Sequence, residues 1–379
     1  MYLQKSSITL NYKAIEPMLN VFQAIRNSNN INTIKELLKK ILSTSEYQIC
    51  EEQYRIEKKQ ITLDEFKNFI LSFSSNSKET QDNKRLLFLK KYYIDAINNL
   101  EKYKNALNKI KFISNDDIKE ALNIALYWLP GNINLDVEVL ILFDIGGGAW
   151  AYKSKSGKYY TAFNILFLLD DQGHFDKDMF LLTLAHELHH LGIPLNTYLK
   201  SINYETLSDT HPLKLYSDFF YSIIKEGMAQ KFCSNAPTNF SLKPYPEKKF
   251  AALKRVEKTW LCFMKEFKDI HKHAIQDLQN IVDGNITDIS KFWKDYSNYW
   301  TWKAGQIENK DISLGRRYYY GSEILGLINA GMGRTALFEV MFDFRKLLFL
   351  YNKSLKKLHP DLYDKYKFPE ALVEMIKNL

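Results

Sequence analysis

Cysteine is scarce in this chain. There are three in 379 residues, Cys50, Cys233 and Cys262, far apart in sequence. They are too few and too scattered for a disulfide framework, none forms a C-x-x-C pair that could bind metal, and the odd number fits a reducing compartment. Long apolar runs are missing as well. VEVLILF and ILFLL are strand-sized, far short of the about 20 residues that span a bilayer, so no membrane association is expected. The N-terminal stretch MYLQKSSITLNYKAIEPML has no basic segment leading into an apolar one, so the expected location is the cytoplasm, or outside the cell if a leader was trimmed. A basic stripe is lacking too: the net charge of +8 is modest for this length and Lys is interspersed with Glu, so no nucleic-acid partner is expected. Apolar residues make up 46% of the chain and aromatic residues 14%, enough to fill a sizeable core and to exclude global disorder.

The chain divides by pattern near residue 130. Residues 1–130 hold no histidine and read as helices, with one stripe at Ile15, Met18, Leu19 and Phe22 and another at Ile34, Leu37, Leu38, Ile41 and Leu42. Thr62 is a plausible N-cap for a third helix, residues 72–84 form a polar connector, and a long helix follows from about Arg85 to Ile110. Residues 131–379 form the second region, which opens with two β-prone runs, Val137 to Phe143 and Tyr159 to Leu168. Between them, Gly146-Gly147-Gly148 has no following Lys-Ser/Thr and no helix after it, so it reads as a flexible connection or a close backbone approach rather than a phosphate cradle. From Pro212 the chain is again mainly helical. The expected fold class is α+β, predominantly helical, with a small sheet.

The chemistry is concentrated in LLTLAHELHHL, Leu181 to Leu191. Phe180, Leu181, Leu184, Leu188 and Leu191 follow helical spacing, Asp176 and Asp178 suit the N-terminus, and Gly192 and Pro194 supply the stop. A helix so apolar should be buried. Its polar face carries His186, Glu187 and His190, an H-E-x-x-H pattern. Residues four apart on a helix project from one face, so both imidazoles can hold one zinc ion while Glu187 takes a proton from a zinc-bound water. His189 points away from them and reads as a supporting or structural residue.

A catalytic zinc site usually has a third protein ligand. Glu226 is favoured, because it interrupts an otherwise uncharged stripe of Phe219, Ser222, Ile223, Ala229 and Cys233 on a helix from about Leu213 to Phe232. Gln230, one turn later, could orient it or a histidine. Glu205, Asp209 and His211 in the preceding loop are rivals, Asp209 chief among them.

His186-Glu187-x-x-His190 followed by Glu226-Gly227-Met228-Ala229 resembles the gluzincin metallopeptidases, and within that layout it is similar to an uncharacterised bacterial family of zinc-dependent peptidases. The resemblance covers about residues 135–350 and implies a zincin-like core binding one zinc per chain, with a peptide or protein as substrate. It also implies that the strand within Tyr159 to Leu168 is a sheet edge for an extended peptide, with Asn164 among the substrate-binding candidates. In Arg316-Arg317-Tyr318-Tyr319-Tyr320-Gly321, Tyr318 matches a Y-x-x-G pattern and is the candidate oxyanion donor, with Tyr319 and Tyr320 as alternatives. Arg316 or Arg317 could grip a substrate carboxylate.

The function read from the sequence is therefore a zinc-dependent peptidase with Glu187 as base. The alternatives are a non-catalytic, zinc-containing peptide-binding protein, and a helical protein that binds no metal.

Overall fold

A computed structural model of the chain describes residues 6–56, 62–74, 84–131, 133–170, 172–195, 197–201, 204–301, 303 and 313–379; the connector expected over 72–84 lies largely outside them. The fold is α+β, mostly helical with one four-stranded sheet. It forms two compact units, residues 1–120 with 134–191, and residues 121–133 with 192–379. This grouping joins the sheet and the H-E-x-x-H helix to the N-terminal helices that the sequence pattern sets apart. Among the described residues no helix is long and apolar enough to cross a membrane.

The first unit contains α1 (Ile15–Arg26), α2 (Ile31–Leu42), α3 (Ser45–Ile56), α4 (Leu63–Leu71), α5 (Lys84–Asn98) and α6 (Leu100–Lys111), and α7 (Asn115–Tyr127) begins in it. Thr62 caps α4 as expected: its side chain accepts from Glu65 N while the Glu65 carboxylate accepts from Thr62 N at 2.7 Å. The single helix expected over 85–110 is two. Asn99 leaves the helical conformation at φ −119° and ψ 50° and donates from Nδ2 to Asp95 Oδ1 at 2.7 Å, the kind of local side-chain bond that competes with helix continuation.

The sheet runs β1 (Ser7–Asn11), β2 (Asp136–Leu142), β4 (Tyr159–Asn164), β3 (Ala149–Lys153) in spatial order. β1, β2 and β4 are parallel, and β3 pairs antiparallel with β4. The β3–β4 hairpin turns at Gly157, whose φ of +86° suits glycine, and Ser154 N donates to Lys158 O at 2.9 Å. β4 is consequently an inner strand, buried along nearly its whole length, and the edge expected there is β3. The β-prone run past Asn164 becomes a 3-10 turn, Ile165–Phe167. The first glycine of the triplet is tightly packed. A Cβ on Gly146 would collide with the Tyr54 ring and lie 2.9 Å from Asp144 Oδ2. Buried Asp144 organises this corner by accepting from Gly146 N at 2.8 Å and Trp150 Nε1 at 3.1 Å.

The second unit is built on α9 (Pro212–Met228) and α13 (Arg316–Met332), with α10 (Lys254–Lys265), α11 (Phe267–Val282), α12 (Ile289–Trp300), α14 (Arg334–Phe342), α15 (Leu347–Leu358), α16 (Tyr363–Tyr366) and α17 (Glu370–Lys377) around them. The backbones of α9 and α13 touch. A Cβ on Gly227 would lie 2.5 Å from Gly321 Cα, and a Cβ on Gly321 would overlap the Ile223 carbonyl. Ser322 Oγ donates across this contact to Gly227 O at 3.2 Å and within α13 to Tyr318 O at 2.8 Å. Fully buried Glu323, one residue on, accepts from Asn239 N and Phe240 N at 2.7 and 2.9 Å, which fastens the irregular segment 234–253 to α13.

Gly321→Ala should therefore cost about 3 kcal/mol or more, as overpacking against backbone does. Gly148→Ala, whose methyl would meet only the Phe167 ring at 3.7 Å, should stay within about 0.5 kcal/mol of wild type. Thermal and urea denaturation of the two variants checks the contrast.

Candidate metal centre

The H-E-x-x-H helix is α8 (Lys177–Gly192). Asp176 Oδ1 accepts from Met179 N at 2.9 Å, capping the start as its position suggested. Phe180 packs on Phe163 of β4 with ring centroids 5.1 Å apart, which ties the helix to the sheet. As expected of its composition, α8 is buried nearly all round. His186 and Glu187 are only 6% and 7% exposed, His189 is fully buried and His190 is half-buried. The His186 and His190 rings stand edge to face with centroids 4.6 Å apart, the nearness that two imidazoles need to share an ion.

Glu226 lies in the last turn of α9. That helix starts at Pro212, with His211 Nδ1 accepting from Leu213 N at 3.2 Å, so the His211 ring serves as a cap. Asp209 is 74% exposed and ion-paired to Lys214 at 2.6 Å, and Glu205 is exposed. One ligand atom each from His186, His190 and Glu226 lies within 4.8 Å of the other two, and among the described residues this is the one such group of potential metal ligands. Two imidazoles and a carboxylate are a donor set that suits zinc and leaves a fourth, open position. Donors on a tetrahedral zinc stand about 3.3 Å apart.

The three tyrosines of α13 separate cleanly. Tyr319 is fully buried and donates to Glu323 Oε2 at 2.8 Å, and Tyr320 is fully buried with its hydroxyl 3.0 Å from His271 Nδ1. Both are packing residues. Tyr318 is half-buried, with Arg317 Nη2 3.5 Å from its hydroxyl. Arg316 is 3% exposed and enclosed by protein: it donates to Tyr299 O at 3.3 Å, lies 3.7 Å from Glu266 and stacks over the Tyr299 ring at 4.5 Å. Asn164 is likewise committed inside the fold. Its Nδ2 donates to Asp144 O at 2.5 Å and its Oδ1 accepts from Leu166 N at 3.1 Å, at 1% exposure, so it shapes the turn after β4 and presents no polar atom to a substrate. Gln230 sits in a π-helical turn, Ala229–Cys233, with its Oε1 buried and without a hydrogen-bond partner.

Tyr296 of α12 is a neighbour that the motif reading did not single out. Its hydroxyl donates to Phe219 O at 3.3 Å, and burial, working with Asp277 and Glu226 and against Arg317, pushes its pKa up. The aromatic run FWKDYSNYW was a visible signal, but nothing in it marked which ring would face α9.

Zinc content separates the possible third ligands. Glu226→Ala should purify with less than about a tenth of the wild-type zinc after dialysis, the scale of loss for a removed ligand. Asp209→Ala should retain one zinc per chain, measured by elemental analysis.

No curated protein and no solved structure matches the chain. A family model does, that of the family described as "Putative zinc dependent peptidase (DUF5700)", over residues 38–359. That is well over half of the sequence, and the chain belongs to this family.

Proposed function

We propose that the protein is a zinc-dependent peptidase of gluzincin type with a zincin-like core, in which His186, His190 and Glu226 hold the metal and Glu187 is the general base. The observation that supports this most is the trio of donor atoms within 4.8 Å of one another, with Glu187 adjoining two of them on α8. A site that only stored metal would have no use for that carboxylate. Membership of a family described as zinc-dependent peptidases adds support.

Zinc held there would supply a Lewis acid that acidifies water and polarises the scissile carbonyl. Glu187 then takes a proton from the water that attacks the carbonyl carbon and delivers it to the leaving nitrogen as the C–N bond breaks. Its burial suits a base that must not be levelled by bulk solvent. Tyr318 donates its hydroxyl to the oxyanion that develops on the substrate.

An extended peptide would align along β3, the antiparallel edge strand. Asn164 N donates to Gly148 O and Ser154 N to Lys158 O, so by alternation the backbone groups of Ala149, Ala151 and Lys153 point to the open edge. The Trp150 and Tyr152 side chains are buried while Ala149 and Ala151 are small and half-buried. Backbone pairing of this kind is indifferent to substrate sequence.

Glu187→Gln should keep zinc and lose about 10²–10⁴-fold in kcat on a peptide that the wild type cleaves. Tyr318→Phe should lose about 10²-fold in kcat with little change in KM. A peptide-library digest followed by steady-state assays gives both numbers. Zinc-loaded wild type that cleaves nothing would leave the non-catalytic binding protein as the answer.

A further inference from the structure

Arg316 and Arg317 are adjacent in sequence and opposite in circumstance. Arg316 lies 3.7 Å from Glu266, donates to the Tyr299 carbonyl and stacks on the Tyr299 ring. Arg317 is half-buried, and its guanidinium carbon stands 5.1 Å over the Tyr318 ring. Among the described residues its one hydrogen bond is the long 3.5 Å approach of Nη2 to the Tyr318 hydroxyl, and its Nε, like that of Arg316, is buried without an acceptor. Among the described residues it makes no ion pair, although other arginines do, such as Arg345 with Asp343 at 2.9 Å. Burial works against its charge, but Tyr318, Glu226 and Tyr296 outweigh it and hold the guanidinium firmly protonated.

A permanently charged guanidinium withdrawn from water needs an anion. A carboxylate that acts on it is Glu226, and on the peptidase reading that carboxylate is committed to the metal. Arg317 is then left with a planar fork of donors, an unused Nε beside Tyr318 and, among the described residues, no ion-paired carboxylate. We infer that Arg317 is a specificity residue that receives a carboxylate of the substrate, so that the enzyme acts on peptides carrying an anionic group next to the scissile bond, either a free C-terminal carboxylate or an acidic side chain. Arginine suits that role because two parallel N–H donors match the two oxygens of a carboxylate. The position of Arg317 beside Tyr318 would put the anion one residue away from the bond being cut. The inference rests on the peptidase reading, which assigns Glu226 to the metal.

The test is binding of labelled peptides to zinc-loaded Glu187→Gln protein, which does not turn them over, followed by fluorescence anisotropy. Three matched peptides are used: one with a free C-terminal carboxylate, its C-terminal amide, and the amide with a single Gln→Glu change. Beside Arg317, the parent should bind one or both carboxylate peptides at least about tenfold more tightly than the neutral amide, a modest value for a buried charged pair. The peptide that shows the preference tells whether the terminus or a side chain is recognised. Adding Arg317→Gln should collapse the preference to about onefold, and Arg317→Lys, which keeps the charge and loses the fork, should retain part of it. Thermal denaturation checks that both variants are folded. A parent with no preference, or a preference that survives Arg317→Gln, overturns the inference. The two readings fail separately. Hydrolysis of neutral and anionic peptides alike would sustain the peptidase and sink the role of Arg317, whereas Arg317-dependent carboxylate binding by a wild type that cleaves nothing would do the reverse.

Discussion

Helices α9 and α13 meet backbone to backbone at Gly227 and Gly321, and the geometry of the second unit depends on that contact. Hydrophobic burial alone leaves packed helices free to slide or rotate by small amounts, because it has no direction. A glycine pair at this distance does not, since any added atom meets a carbonyl. The Ser322 hydroxyl, bonded to carbonyls on both helices, locks the same point. Glu226 is next to Gly227 in sequence, and Tyr318 lies one turn before Gly321. The carboxylate and the hydroxyl proposed for the chemistry are therefore each carried within a turn of this close backbone contact, and a site gains precision from rigid support.

In the first unit the governing constraint is electrostatic. Helix α8 is buried on nearly every side, so His186 and Glu187 cannot be solvated as surface groups are, and His190 only partly can. Imidazole and carboxylate tolerate such surroundings when they share a cation or a proton. The same rule separates the twin arginines of α13: Arg316 has Glu266 beside it, and Arg317 makes no ion pair among the described residues.

The sequence showed most of what depends on local order. Helical period, the Asp176 cap and the H-E-x-x-H spacing are all encoded within a few residues of one another, and so is the Thr62–Glu65 capping box. Glu226 was visible as one charge in an apolar stripe. What stayed hidden depends on pairing over distance. β1 is five residues long and gains its identity from β2, more than a hundred residues later. The order of β3 and β4 follows from a hairpin that tucks β4 inward, and β3 itself stayed hidden because AWAYK follows directly on a glycine triplet that reads as a connection. Asn164 looked like a polar residue available to a ligand, yet its amide is used by Asp144 and Leu166. No pattern could tell Arg316 from Arg317, because one residue of helical rotation decides which is enclosed.

X-ray absorption at the zinc edge of the zinc-loaded full-length protein reaches the central claim most directly. The account predicts one zinc per chain with two imidazole nitrogens and oxygen donors at about 2.0–2.2 Å, and no sulfur. A sulfur scatterer at about 2.3 Å, a single imidazole, or a shell of oxygens alone would contradict it.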